Sequence, residues 1–239
     1  MSGNLFDYYF YKKTKSTNDE IKKVTEIKKN NVALFSQIQT KGRGRVKKKW
    51  YSSDGDLTCS FFINKKLSSE KIGQINIWFL SKIISVLKEK FKKINFKIKW
   101  PNDIYINNKK LAGILTETNI EKGFISNIII GIGINIVSSP SNTDYPTTCL
   151  SLFNYRVDPV KLFLSISKKL SDSLYNFDNK NLIEPNSEFL KNFEGIGEII
   201  NIKLGSRLIK GRFLEVDNNG HLIIQENNVI KQIKFGNIV

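Results

Sequence analysis

An apolar, aromatic-rich run at residues 5–11 predicts an opening strand, and the polar stretch 14–20 predicts a helix start, with Thr17 and Glu20 spaced as a capping box. Residues 32–39 and 57–63 read as strands. Between them, residues 41–49 are too rich in glycine and charge for regular structure. The clearest helix spans 72–93, where Ile72, Ile75, Phe79, Ile83, Val86 and Leu87 recur at helical spacing. Strands at 96–100 and 103–106 meet an Asn107-Asn108 turn, and a further pair covers 111–118 and 125–137. The last is almost wholly apolar, as in a strand buried on both faces. Asp158 and Pro159 supply an N-cap and a first-turn proline for a helix to about residue 177, and a shorter helix follows at 186–193. From Gly195 the texture changes. Short alternating segments at 199–204, 208–216, 221–225 and 229–235 are parted by Asn218-Asn219-Gly220 and Asn227-Asn228, the pattern of a small antiparallel barrel or sandwich. The implied division is 1–194 and 195–239.

Composition narrows the chemistry. With 239 residues, 40% of them hydrophobic, the chain has ample material for a core, which excludes wholesale disorder. Cys59 and Cys149 lie far apart, so neither a disulfide scaffold nor a cysteine zinc site is expected, and a reducing compartment fits. His221 is the single histidine, so zinc sites needing two or three have no ligands. Residues 123–143 are uncharged but carry asparagines, serines and a proline, a poor spanning helix. The expectation is a soluble, cytoplasmic protein. The net charge of +16 invites a nucleic-acid reading, yet the lysines are spread along the chain as in a general compositional drift.

Four clusters carry candidate chemistry. Ser16, Thr17, Asn18 and Asp19 sit where a strand gives way to a helix; they suit either a plain cap or a polar ligand head. Gln39 is followed by Gly42-Arg43-Gly44-Arg45 and then Trp50. Glycines admit close backbone approach and arginines give charge forks for phosphate or carboxylate, though a solvated basic loop or an RNA-binding stretch reads similarly. Lys99-Trp100-Pro101-Asn102-Asp103 precedes Lys110-Leu111-Ala112-Gly113-Ile114-Leu115, with Glu117 just after. A lysine and carboxylates on adjacent strands suit either a phosphate with magnesium or simple salt bridging. Gly131-Ile132-Gly133-Ile134-Asn135 suggests close packing in the sheet and a buried amide in need of partners.

In this order the clusters resemble the biotin protein ligase family over nearly the whole chain. The resemblance implies an α+β fold: a mixed sheet flanked by helices, as in class II aminoacyl-tRNA synthetases, followed by a small SH3-like barrel. It also implies ATP-dependent joining of biotin to a lysine of a biotin carboxyl carrier domain through biotinyl-5′-AMP, with Mg²⁺ accompanying ATP. Some members carry an N-terminal repressor domain; with the first strand near Leu5 a ligase without repressor function, and without specific DNA binding, is expected. A homodimer is possible.

Carried over residue by residue, Ser16, Thr17, Asn18, Gln39, Gly42, Arg43, Lys110 and Gly113 surround biotin. Arg45, Lys48, Trp50, Asn102 and Asn135 face the nucleotide. Arg43, Arg45 and Lys110 supply positive charge where the biotin carboxylate meets the α-phosphate. Asp103 is either the group that orients or deprotonates the acceptor lysine or a Mg²⁺ ligand. One stretch departs from the family: Lys47 stands where glycine is usual and Lys48 where arginine is usual, and lysine cannot reproduce an arginine fork. Lipoate ligation is the nearest rival reaction, and nucleic-acid binding the rival of another class.

Overall fold

The computed structural model describes residues 5–27, 30–46, 48–174 and 187–239. Lys47, residues 175–177 and Asn186, to which the expected elements extend, lie outside these. In chain order the elements are β1 (Asp7–Thr14), α1 (Thr17–Ile27), β2 (Val32–Gln39), β3 (Gly42–Arg43), β4 (Lys49–Trp50), β5 (Leu57–Ile63), β6 (Leu67–Ser68) and α2 (Ile72–Lys90). Then follow β7 (Lys97–Lys99), β8 (Asp103–Ile106), β9 (Lys109–Glu121), β10 (Phe124–Ile134), α3 (Pro159–Leu174) and α4 (Ser187–Leu190). The last group is β11 (Ile199–Leu204), β12 (Arg207–Val216), β13 (Leu222–Glu226), β14 (Val229–Ile233) and β15 (Asn237–Ile238).

A mixed sheet runs β1-β2-β5-β10-β9-β8-β7, with β6 added beside β10. Only β1 and β2 pair in parallel, across the α1 crossover. Side-chain alternation sorts its two faces. Ala33, Phe35, Cys59, Phe61, Ile128, Ile130 and Ile132 belong to a core that also holds α2 and α3 residues. Val32, Leu34, Phe62 and Ile129, of opposite parity, close a smaller cluster around Ile21 of α1. Phe163 of α3 anchors the larger core, its ring 5.7 Å from those of Phe35 and Phe61. Burying one such side chain contributes about 1.5–3 kcal/mol. The run after β9 that lacked charge is β10, a central strand. No helix among the described residues is long and apolar enough to cross a membrane.

Local chemistry sets the element ends. Asp158 caps α3 through Oδ1, which accepts from Val160 and Lys161 N–H. The helix α1 is capped one residue earlier than its sequence suggests: Ser16 Oγ accepts from Asp19 N–H at 3.4 Å. Thr17 is free for another task. Asn107 and Asn108 both adopt positive φ, +49° and +60°, as a tight hairpin between β8 and β9 requires. Residues 41–49 are not wholly irregular, since β3 and β4 pair in a two-stranded hairpin.

The second sheet, order β14-β13-β12-β11-β15, is antiparallel. Its apolar residues, among them Ile202, Phe213 and Leu222, continue the core of the first sheet. Three contacts hold it in place. Phe193 bridges Ile98, with Glu194 N–H donating to Ile98 O. The turn between β12 and β13 rests on α2, where Gln74 Nε2 donates to Asn219 Oδ1 at 2.9 Å. At the same turn Trp100 Nε1 donates to Gly220 O at 2.9 Å.

Candidate active site

The site lies on the α1 face of the sheet. There β10 presents Gly131 and Gly133, and Gly133 pairs in register with Gly113 of β9. These glycines make room for side chains laid flat on the strands. A Cβ at Gly131 would stand 2.3 Å from Asn18 Oδ1, and one at Gly133 would stand 2.2 Å from Trp50 Cε2. The indole of Trp50 therefore rests on a glycine floor, and its buried Nε1 has no hydrogen-bond partner among the described residues. Gly42 is required too, because a Cβ there would meet Gln39 Nε2 at 2.5 Å and Trp50 O at 2.6 Å. At Gly44 a Cβ would make only ordinary contact, 3.7 Å from Lys48 O, so no such constraint holds there.

A cavity of about 830 Å³ opens over this floor. At its α1 end the hydroxyls and amides are interlocked. Gln39 Oε1 accepts from Thr17 N–H at 2.8 Å and Thr17 Oγ1 at 3.1 Å. Ser60 Oγ lies 2.8 Å from Thr17 Oγ1 and 2.6 Å from Asn18 Oδ1. Arg43 bonds to Asp19 and, at 3.1 Å, to Glu117. The Asp19 bond chiefly holds its guanidinium above the ordinary arginine range. Burial would raise the Glu117 carboxyl, but Lys22 at 3.0 Å, Asn18 and Arg43 hold it below its ordinary value.

The other end is cationic. Lys110 Nζ lies 2.7 Å from Asp103 Oδ2, with side chains only 12% and 23% exposed. Lys110 also sits over the rings of Tyr145 and Trp50, at 5.1 and 5.6 Å. Lys48 also lies over Tyr145, at 5.6 Å. Arg45 is half-buried and donates only to neutral oxygens: Asn102 Oδ1 at 3.3 Å, Asn237 Oδ1 at 3.2 Å and Gly236 O at 3.4 Å. Burial lowers its pKa from the ordinary value, and the field of Asp103 opposes that shift. Burial, with Asp103 next, also pushes the Tyr105 hydroxyl up.

All the residues anticipated from the sequence line this cavity except Gly42 and Asn135. Gly42 packs behind Gln39 and Trp50. The buried Asn135 amide donates to Thr148 O at 3.0 Å and so fixes the return of the chain after β10; it lines a small adjoining recess with Trp50, Lys110 and Tyr145. Sequence reasoning passed over Tyr105, Tyr145 and Asn237, which line the cavity, and Asp56, which does not. The Asp56 carboxylate, 2% exposed, accepts from Ile136, Val137 and Ser138 N–H at 2.8, 3.0 and 3.2 Å. It anchors the start of the segment that brings Tyr145 to the site.

Residues 8–135 match the model of the biotin/lipoate A/B protein ligase family. The chain belongs to that family. Among relatives of this ligase family, the Bacillus subtilis protein named bifunctional ligase/repressor BirA is 28% identical across 89% of this chain and 68% of its own. The biotin–[acetyl-CoA-carboxylase] ligase of Paracoccus denitrificans is 22% identical across 89% of this chain and 92% of its own. The biotin protein ligase of Aquifex aeolicus, solved in complex with biotin and ATP, superposes with a TM-score of 0.80 at 28% identity, covering 98% of this chain and 97% of that one. The ligase fold anticipated from the motifs, a mixed sheet followed by a small antiparallel one, is the fold observed.

A magnesium ion accompanying ATP can be tested against the donors present. Among the described residues no three histidine, cysteine or acidic side chains converge to hold a metal. Asp103 and Asp144 line the cavity, and Asp103 is already paired with Lys110. This donor set suits an ion carried in on nucleotide phosphates, since Mg²⁺ commonly takes only one or two protein carboxylates beside substrate phosphates and water.

Proposed function

We propose that this chain joins biotin to a lysine of a biotin carboxyl carrier domain, with ATP and through biotinyl-5′-AMP. The carrying observation is that one cavity holds two chemically distinct ends: a network of hydroxyls and amides backed by the paired charges of Arg43, Asp19 and Glu117, and a cluster of cations around Lys110 and Arg45. Thr17, Gln39, Ser16 and Asn18 suit the ureido ring of biotin, which needs both donors and acceptors. Trp50, expected at the nucleotide, rests on the glycine floor instead, and the two together suit the apolar tail of biotin. Arg45, Lys110 and Lys48 suit the polyphosphate.

In the first step a biotin carboxylate oxygen bonds to the α-phosphorus of MgATP, the bond from that phosphorus to the β-phosphate oxygen breaks, and pyrophosphate leaves. Two anions must meet, so fixed positive charge in a water-poor cavity lowers the barrier; each preorganised donor is worth about 10²–10³ in rate. Arg45, held by neutral oxygens, is such a donor, and Lys110 adds an oriented N–H donor whose charge Asp103 partly offsets. In the second step the carrier lysine's amine attacks the acyl carbon, its surplus proton is released, and AMP leaves with the bridging oxygen. Asp103, which lines the cavity beside Lys110, is the acceptor for that proton. Asn102 positions Arg45, and its Nδ2 is also bonded to Ile114 O.

The acceptor is the carrier domain of acetyl-CoA carboxylase or a similar carboxylase, and no specific DNA recognition is required. A boundary at 194/195 is supported by the change of sheet after Glu194 and the positive φ of Gly195, +86°. Incubating the chain with biotin, MgATP and a purified carrier domain, and reading the carrier's intact mass, tests the proposal. One biotinyl addition that requires ATP is expected; no addition and no biotinyl-AMP in the protein fraction would overturn it.

A further inference from the structure

Arg45 is held differently from the two other cations assigned to the reaction. Arg43 and Lys110 each have a carboxylate partner. Arg45 has none among the described residues; one guanidinium nitrogen, Nη1, reaches Asn102 Oδ1, Asn237 Oδ1 and Gly236 O. A cation fixed by neutral oxygens keeps its full charge for an incoming anion, whereas a carboxylate would neutralise it. Two of the three oxygens belong to the second sheet.

That sheet is built to deliver them. Gly236 has φ +145°, and a Cβ there would lie 2.6 Å from Leu204 Cδ2 and 3.1 Å from Lys203 O. Only glycine lets the chain turn in so tightly that β15 pairs with β11, Asn237 opposite Lys203 and Ile238 opposite Ile202. Ile202 is fully buried, so the strand it registers cannot shift without disturbing the core. The whole sheet is in turn fixed to the first through Trp100, a neighbour of Asn102 in the chain, which donates to Gly220 O. Asn237 and Asn102 therefore approach Arg45 from two sheets whose relative placement is set by packing.

We propose that Asn237 is a positioning residue for Arg45 in adenylate formation, so that the second sheet completes the nucleotide end of the site. This rests on the ligase reading above. The test is pyrophosphate release from the full chain with biotin and MgATP and no carrier, alongside biotin affinity without ATP. Asn237→Ala is expected to slow release about tenfold, the size of one hydrogen bond to a charged group, and to leave biotin affinity unchanged. Asn237→Asp, which keeps an acceptor oxygen in place but puts a carboxylate on Arg45, is expected to stay slow, because it restores the position without the free charge. In an Arg45→Ala background, Asn237→Ala should cause no further loss. A full rate in Asn237→Ala, or an additional loss in the Arg45→Ala background, would overturn the assignment. Pyrophosphate release absent from the unaltered chain would instead overturn the ligase reading, and this inference with it.

Discussion

Gly131→Ala tests how the site's floor is linked to its neutral end. The new methyl would stand 2.3 Å from Asn18 Oδ1 and 3.0 Å from its Cγ, so one of them must move by about an ångström. Gly131 sits mid-strand between β5 and β9 and cannot yield. Asn18 is 4% exposed and is held by Ser60 and Glu117, and Ser60 is fully buried. Overpacking of this kind costs about 1–3 kcal/mol. Ser60 retains Thr17 as an alternative partner at 2.8 Å, which keeps the cost near the middle of that range. Shortening the partner should relieve the clash. In an Asn18→Ala background the same glycine substitution should cost under about 0.5 kcal/mol, giving a coupling of at least about 1 kcal/mol in a double-mutant cycle. Urea unfolding of the four chains measures it. Additive costs would show that the methyl does not meet Asn18 and would refute the account of this glycine.

Three further expectations follow from the site. Gly133→Ala would displace the Trp50 indole from its floor, so biotin affinity by calorimetry should fall at least about tenfold while the unfolding midpoint changes little, since the ring can swing toward solvent. Lys48→Arg offers a planar group over Tyr145 and a forked donor set, so biotinyl-AMP should dissociate more slowly; equal or faster release would contradict it. Asp103→Asn should slow transfer from preformed biotinyl-AMP to the carrier by about 10²-fold, as removal of a proton acceptor does, and a single-turnover rate within threefold of normal would exclude that role. Acidification should report on the Glu117 cluster. Because its folded pKa is depressed, its stabilisation is present above the unfolded value, the ordinary 4.5, and is lost as pH falls through the folded value. Glu117→Gln should therefore lower stability at neutral pH and flatten the decline as pH falls below the ordinary 4.5 in chemical unfolding.

Most elements were legible because burial imposes a period. The strands β2 and β5 begin and end where the apolar runs do, and the turns at Asn107-Asn108 and Asn227-Asn228 adopt the positive φ that asparagine tolerates. The hairpin of β3 and β4 was not legible, since strands of two residues carry no period. The α1 cap was misplaced by one residue because Ser16 with Asp19 and Thr17 with Glu20 share the same spacing; what separates them is Gln39, on another strand, which occupies Thr17. Asn135 shows the same limit. Its sequence context marks a buried amide, but only the fold shows that Thr148 O takes it up. Asn237 and Tyr145 carried no local signal, because their place at the cavity depends on Gly236 and on the Asp56 anchor far away in the chain.

The bond from Trp100 to Gly220, with the core shared between the sheets, has a consequence for how the protein comes apart. Neither sheet can melt and leave the other its buried surface, so loss of the smaller one is a global event. Heat or denaturant should abolish secondary structure and substrate binding in a single transition. A chain lacking residues 195–239 would then be no minimal ligase but an aggregation-prone fragment with its apolar seam exposed.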